Sequence, residues 1–373
     1  GNAGIGSFTQ GVGESGMGVD PHHEVNVAGD LVLGSQAGSL GQYTLNTTGS
    51  LTVGGKMVVG GASTEDNLFI QNGGSVTITG SANGNSNYVG LGNSYHTGAL
   101  FVGGGGDAIL DGGTGTYQMN GGTIDTSGIE VGHAGIGVMT QSGDSTVNAN
   151  DLWLGNAGGS DGSYTLSEGT VNSSWSLGIG MFGTGTFTQE GGTVNSTSVT
   201  IGWNNTGTYT QNAGDHIAHE VLLGTDVGGN GVYQLNGGTL SIGDGATDRL
   251  VVGHNSKGTF TMTGGEIYIN NDDTGINAFV VGNHASSDGT FTQSGGVVEG
   301  GRSLHIGMEG GSGTYNLNTG DSPVLNTGFI TLGYSGTGIF NQQAGTTNNT
   351  GAIYIGTDDG TYNQFGGDLN DYD

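Results

Sequence analysis

The chain predicts an all-β fold, a right-handed three-sided parallel β-helix of about fifteen coils, and three observations carry that reading. A unit of a few tens of residues recurs almost throughout, typified by Gly183-Thr184-Gly185-Thr186-Phe187-Thr188-Gln189-Glu190-Gly191-Gly192-Thr193-Val194 and closing at Val199-Thr200-Ile201-Gly202; the next unit starts at Gly207-Thr208-Tyr209-Thr210-Gln211 in the same phase. Inside each unit the apolar residues alternate with period two, which is a strand signal and not a helical one. The 373 residues include 85 glycines but only 2 prolines, without a Gly-X-Y period, so the glycines read as corners between short strands and not as collagen.

Each coil has three apolar stations. The first is an aromatic followed two residues on by Gln, Leu or Met: Phe8/Gln10, Tyr43/Leu45, Phe69/Gln71, Tyr117/Met119, Tyr164/Leu166, Phe187/Gln189, Tyr209/Gln211, Tyr233/Leu235, Phe260/Met262, Phe291/Gln293, Tyr315/Leu317, Phe340/Gln342 and Tyr362/Gln364. A spacing of two puts both side chains on one face of a strand. The second station is one aliphatic after a glycine corner, as in Gly121-Gly122-Thr123-Ile124, Gly192-Thr193-Val194 and Gly237-Gly238-Thr239-Leu240. The third is an alternating pair closed by glycine, as in Leu31-Val32-Leu33-Gly34, Ile129-Glu130-Val131-Gly132, Leu152-Trp153-Leu154-Gly155, Leu304-His305-Ile306-Gly307 and Ile353-Tyr354-Ile355-Gly356. Stacked parallel coils then bring like residues into ladders, aromatic on aromatic and Gln on Gln.

The repeats make residues 1–373 one solenoid domain, with departures marking loops. Insertions fall at 11–30, around Glu14 to Glu24, and at 60–113; there Leu100 and Val102 are expected to fill an aromatic station and Gly103 to Gly106 a loose corner. Regular coils run over 114–373, two of them with extra corner residues at 243–248 and 270–275. The opening residues Gly1 to Phe8 resemble the internal link Gly155-Asn156-Ala157-Gly158, and the last residues run just past a second station, so both ends fall in mid-coil. Uncapped coils expose strand edges that template pairing. Two readings stand: a piece of a longer protein, or a subunit whose last half-coil is continued by the first of another copy in a head-to-tail homopolymer.

Four Lys and Arg against 32 Asp and Glu give a net charge of −28. That excludes the cationic footprint nucleic-acid binding requires, and an anionic membrane surface would repel the chain. No apolar run is long enough to span a membrane. Without cysteine there are no disulfides, thiolate metal sites or cysteine nucleophiles. Low Lys and abundant small polar residues suit an extracellular bacterial surface.

Little in the chain points to chemistry, and no catalytic residue or bound cofactor is expected. Asp244, Asp248, Asp272 and Asp273, with Glu299 near, form a candidate calcium corner, since carboxylates at that density suit a hard oxygen-seeking cation; the competing account is a solvated acidic edge balanced by Arg249 and Arg302. Asp215-His216-Ile217-Ala218-His219-Glu220 has the composition of a transition-metal site, but on a strand His216 and His219 point to opposite faces. His22, His23, His133, His254 and His284 read as exposed corner histidines. Polysaccharide hydrolysis needs a carboxylate pair in a cleft, lyase chemistry a cationic neutraliser, and no nucleophile elbow occurs; only Lys56, Arg249, Lys257 and Arg302 are cationic. Trp153, Trp175, Trp203, Tyr268 and Tyr354 fall outside the inward alternation and are candidates for stacking on a glycan. The Asn-x-Ser/Thr triplets match what so Asn- and Thr-rich a chain contains by chance.

With this consensus in hand, the chain resembles the glycine-rich β-helical repeats of bacterial surface and secreted proteins, including autotransporter-like passengers; Gly289-Thr290-Phe291-Thr292-Gln293-Ser294-Gly295-Gly296 is a representative match. The resemblance implies structural or adhesive work outside the cell and brings no catalytic residues. The expectation is an extracellular structural protein, a protomer of a head-to-tail surface filament, with an adhesin-like passenger binding glycan as the first alternative and a polysaccharide-active enzyme as the second.

Overall fold

The computed structural model describes residues 5–10, 23–80, 99–104, 112–243, 248–270, 278–356 and 359–371. All their regular structure is β: thirty-five strands and no helix, with parallel pairing from coil to coil. The fold is a parallel β-solenoid of about twelve turns. The count falls short of fifteen in the first third of the chain. There Phe8 pairs with Tyr43 and Phe69 with Tyr117, so single long coils absorb residues that a regular period reads as additional turns. The contacts group into two compact units, Gly1–Ser176 with Phe182–Phe187, and Leu177–Met181 with Thr188–Asp373.

In the first unit the first-station ladder runs Phe8, Tyr43, Phe69, Tyr117, Met139, Tyr164, Phe187. Rings stack at 4.8 Å for Tyr43 on Phe69 and 4.7 Å for Phe69 on Tyr117, the spacing at which neighbouring strands hydrogen-bond. Met139 fills a rung that an aromatic-based reading passes over, its flexible thioether lying between Tyr117 and Tyr164. The second-station ladder is Val25, Leu51, Val76, Ile124, Val147. The third runs Leu31/Leu33, Met57/Val59, Leu100/Val102, Ile129/Val131, Leu152/Leu154. Leu100 and Val102 therefore occupy the third station and not the aromatic one: the strand Ala99–Val102 ends in Gly103 at φ +76°, the glycine-closed pattern of that ladder. Gly104 also lies at this corner, and Gly105 and Gly106 fall outside the described residues.

In the second unit Tyr209, Tyr233, Phe260, Phe291, Tyr315, Phe340 and Tyr362 stack at 4.7–5.2 Å between ring centres. The second-station ladder is Val194, His216, Leu240, Ile267, Val298, Leu325, Thr347, Leu369. The third starts at Val199/Ile201 and ends at Ile353/Ile355. Outside, asparagines form amide ladders. Asn341 donates to Asn316 and Asn363 to Asn341, each at 2.9 Å.

Two glycines of the consensus are dictated by the stacking. Gly202, at φ +71°, turns the chain out of the third station, and a Cβ there would lie 2.4 Å from the Asn230 carbonyl carbon of the next coil. Gly231, in the first-station strand Asn230–Leu235 that stacks on Thr206–Gln211, would put a Cβ 2.1 Å from the Ile201 oxygen. These are backbone collisions, so no rotamer relieves them. The side of the third ladder that faces away from the core is also partly apolar. Val58, Ala99 and Phe101 cluster in the first unit, and Leu222, Val251, Val280 and Met308 in the second.

Candidate functional site: coil corners and open edges

Asp244, Asp272 and Asp273 of the candidate calcium corner fall outside the described residues. Asp248 is buried, and its carboxylate accepts from Nδ1 of His219 at 3.0 Å. Glu299 accepts from the Asn326 amide at 2.7 Å, and Arg249 is paired with Glu220 at 2.7 Å. Among the described residues no group of three or more His, Asp or Glu is arranged to hold a metal ion.

The histidines divide in a way that an exposed-corner reading does not anticipate. His216 and His219 do point to opposite faces, His219 outward and His216 into the core. His216 has no accessible surface; it takes the second-station place between Val194 and Leu240 and stacks 4.8 Å from Tyr209. Its network settles the tautomer. Tyr233 donates its hydroxyl to Gln211 Oε1 at 2.7 Å, so at 3.0 Å it must accept from Nδ1–H of His216. Nε2 is then the acceptor for Ser196 Oγ, 3.3 Å away. Burial lowers the His216 pKa from 6.5 to about 3, so the imidazole is neutral at physiological pH. The signal is present in the sequence: Asp215-His216-Ile217-Ala218 aligns on Thr193-Val194-Asn195-Ser196, which places His216 where Val194 stands.

His133 is buried as well. Its Nδ1 pairs with the Glu130 carboxylate, which also accepts from the buried Asn156 at 2.5 Å, and the Phe101 ring meets the imidazole edge-on at 5.1 Å. Glu130 alternates with the inward pair Ile129 and Val131, so it lies on the outer side of the ladder yet is removed from solvent. The paired histidine and amide are what make a buried carboxylate tolerable. His254 and His284 meet edge-on at 5.0 Å, and His284 pairs with Glu309 at 2.7 Å. Burial is the main reason the His254 pKa is lowered. His23 is described and solvent-accessible, and His22 lies outside the described residues.

Of the candidate glycan platforms, Trp175 is 63% exposed and Tyr354 is also exposed, packing near Phe329. Trp153 is half-buried and donates Nε1 to Ser176 Oγ at 2.9 Å, in line with Asp151. Trp203 is half-buried, and Tyr268 donates to Glu266.

The first-station ladder contains the most regular polar chemistry. Gln211 donates both amide hydrogens to carbonyls, Gly214 in its own corner and Thr239 one coil on, each at 2.9 Å. Oε1 is left to accept from the tyrosine of the next coil. The same arrangement recurs at Gln71 with Tyr117, Gln141 with Tyr164, Gln189 with Tyr209, Gln293 with Tyr315 and Gln342 with Tyr362. Burial raises the tyrosine pKa values; that of Tyr43 is pushed up to about 12.

At the outermost described coils the core residues come to the surface. Phe8 is 50% exposed, and at the other edge Ile355 is 59% exposed, whereas Tyr209 and Ile201 at the same ladder positions inside are fully buried. The edge strands Ile5–Gln10 and Asp359–Gln364 pair on one side only among the described residues. No family model, no curated protein and no solved structure matches this chain.

Proposed function

We propose that the chain is a non-enzymatic structural element of a bacterial cell exterior, a right-handed three-sided β-helix that extends by strand addition at its edge coils, head to tail with copies of itself. The observation that carries this is the exposure of core ladder residues at both edges, Phe8 at one and Ile355 at the other. Such edges offer unpaired backbone groups and the next rung of each ladder, which is what a further coil needs. The net charge of −28 works in the same direction, because repulsion between like-charged chains disfavours lateral clumping while end contacts gain ladder pairing. The resemblance to glycine-rich surface repeats supports the extracellular setting.

Electron microscopy of the purified 373-residue chain, with sedimentation velocity over a concentration series, tests the proposal. Concentration-dependent thin fibres are expected. Single particles at every concentration would refute self-stacking. The exposed aromatics Trp175 and Tyr354 favour the second reading, an adhesive stalk that grips glycan; retention on a glycan array, lost in Trp175→Ala, would select it. Release of sugar ends from the same panel would instead select an enzyme.

A further inference from the structure

Which residue ends one coil's first station and which begins the next coil's are correlated without exception among the described residues. Gln10, Gln71, Gln141, Gln189, Gln211, Gln293 and Gln342 are each followed, one coil on, by a tyrosine: Tyr43, Tyr117, Tyr164, Tyr209, Tyr233, Tyr315 and Tyr362. Where the station ends in Leu or Met the next rung has no hydroxyl. Leu45 is followed by Phe69, Met119 by Met139, Leu166 by Phe187, Leu235 by Phe260, Met262 by Phe291 and Leu317 by Phe340.

We propose that this match is a code selecting which coil may stack on which, and that by it the edge ending in Gln364 is built for a coil carrying tyrosine. A second copy of this chain arrives there with Phe8 and makes a mismatched rung. The physical ground is that the glutamines are buried and their amide hydrogens are fixed on two carbonyls, so Oε1 cannot turn away to find another donor. Phenylalanine above glutamine leaves that oxygen buried and unsatisfied, and tyrosine above leucine does the same to a hydroxyl. Gln364 already holds the own-corner bond of the inner glutamines, to Gly367 at 3.2 Å, so the edge presents half of a matched pair.

Two experiments test the code, and only the second rests on the proposed end-to-end stacking. The first is a double-mutant cycle on folding at an inner rung, read by urea denaturation. Tyr209→Phe and Gln189→Leu should each lower the folding equilibrium constant by about tenfold or more, Gln189→Leu the more because it also strips the Gly192 and Asp215 carbonyls of their donor, and the double variant should keep a folding constant about tenfold above the product of the two losses. Additive losses would overturn the code. The second measures self-association of four chains by sedimentation equilibrium. Phe8→Tyr alone and Gln364→Leu alone each create a match and should tighten association about tenfold. The two together restore a mismatch and should return it to the wild-type value. Equal association by all four chains would overturn the code at the edge. If none of the four associates, self-stacking fails and the inner cycle alone decides the code.

Discussion

Acidification should destabilise the second unit through one residue, His216. In the folded chain its pKa is lowered from 6.5 to about 3 by burial, so the folded imidazole refuses a proton that the unfolded chain accepts. The neutral form is common to both states above pH 6.5, and there the group contributes its full stability. Below that, the unfolded state gains protons and stability falls by about 1.4 kcal/mol per pH unit until the folded pKa near 3 is reached. Integrated from about pH 7 to pH 4.5, the loss is about 2–3 kcal/mol, which is a large part of what holds a repeat unit together. Other titrating groups also respond to this change, so the comparison must be with a variant that lacks only the imidazole. His216→Leu is suited to it because Val194 and Leu240 stand at the same ladder position in the coils on either side. The variant loses hydrogen bonds to Ser196 and Tyr233, a penalty that is the same at both pH values. Urea denaturation followed by tyrosine fluorescence, at both pH values, gives four free energies. The wild-type chain should lose about 2–3 kcal/mol more than His216→Leu between the two conditions. Identical pH dependence in the two chains would refute the assignment of His216 as a buried neutral rung.

Three further outcomes are expected. Gly202→Ala should cost at least about 2 kcal/mol in urea denaturation, since it combines a left-handed φ with a backbone collision, whereas Gly158→Ala, whose added methyl would meet nothing within 4 Å, should change stability by less than about 0.5 kcal/mol. Asn341→Ala removes two rungs of an outer amide ladder and should cost about 1 kcal/mol; an unchanged midpoint would show that water replaces the ladder without loss. Arg249→Ala breaks a partly exposed ion pair with Glu220 and should cost no more than about 1 kcal/mol, with the difference shrinking as salt is raised.

Much of the fold is legible in the sequence. The period identifies a stacked repeat, alternation identifies strands, and the glycine after each third station predicts a corner, as Gly202 and Gly132 show. These are local properties, set by the steric limits of φ and the two-residue period of a strand, so they survive reading one coil at a time. The station inventory likewise contains every member of the Gln–Tyr pairs except Gln141, whose rung opens with Met139 in place of an aromatic. What the inventory lacks is the order of neighbours. Met139 does not look like an aromatic rung, and the coils from Phe8 to Tyr43 and from Phe69 to Tyr117 are much longer than the rest.

Whether a polar residue is in or out is where local pattern misleads. His216 and His133 look alike to composition, two histidines near glycine-rich corners; alignment of one coil on the next gives His216 away at the place of Val194, while nothing in the repeat marks His133 as buried. The tertiary structure puts His216 into the core because its coil lies in register with Val194 and Leu240, and buries His133 against Glu130 and Asn156. By itself the sequence determined the repeat, the strand faces and the corners, since each depends on a few consecutive residues. Only the stacked structure decided which residues become neighbours one coil away, because a hydrogen bond from Tyr233 to Gln211, or a ring of Tyr209 over His216, exists only once the register between coils is set.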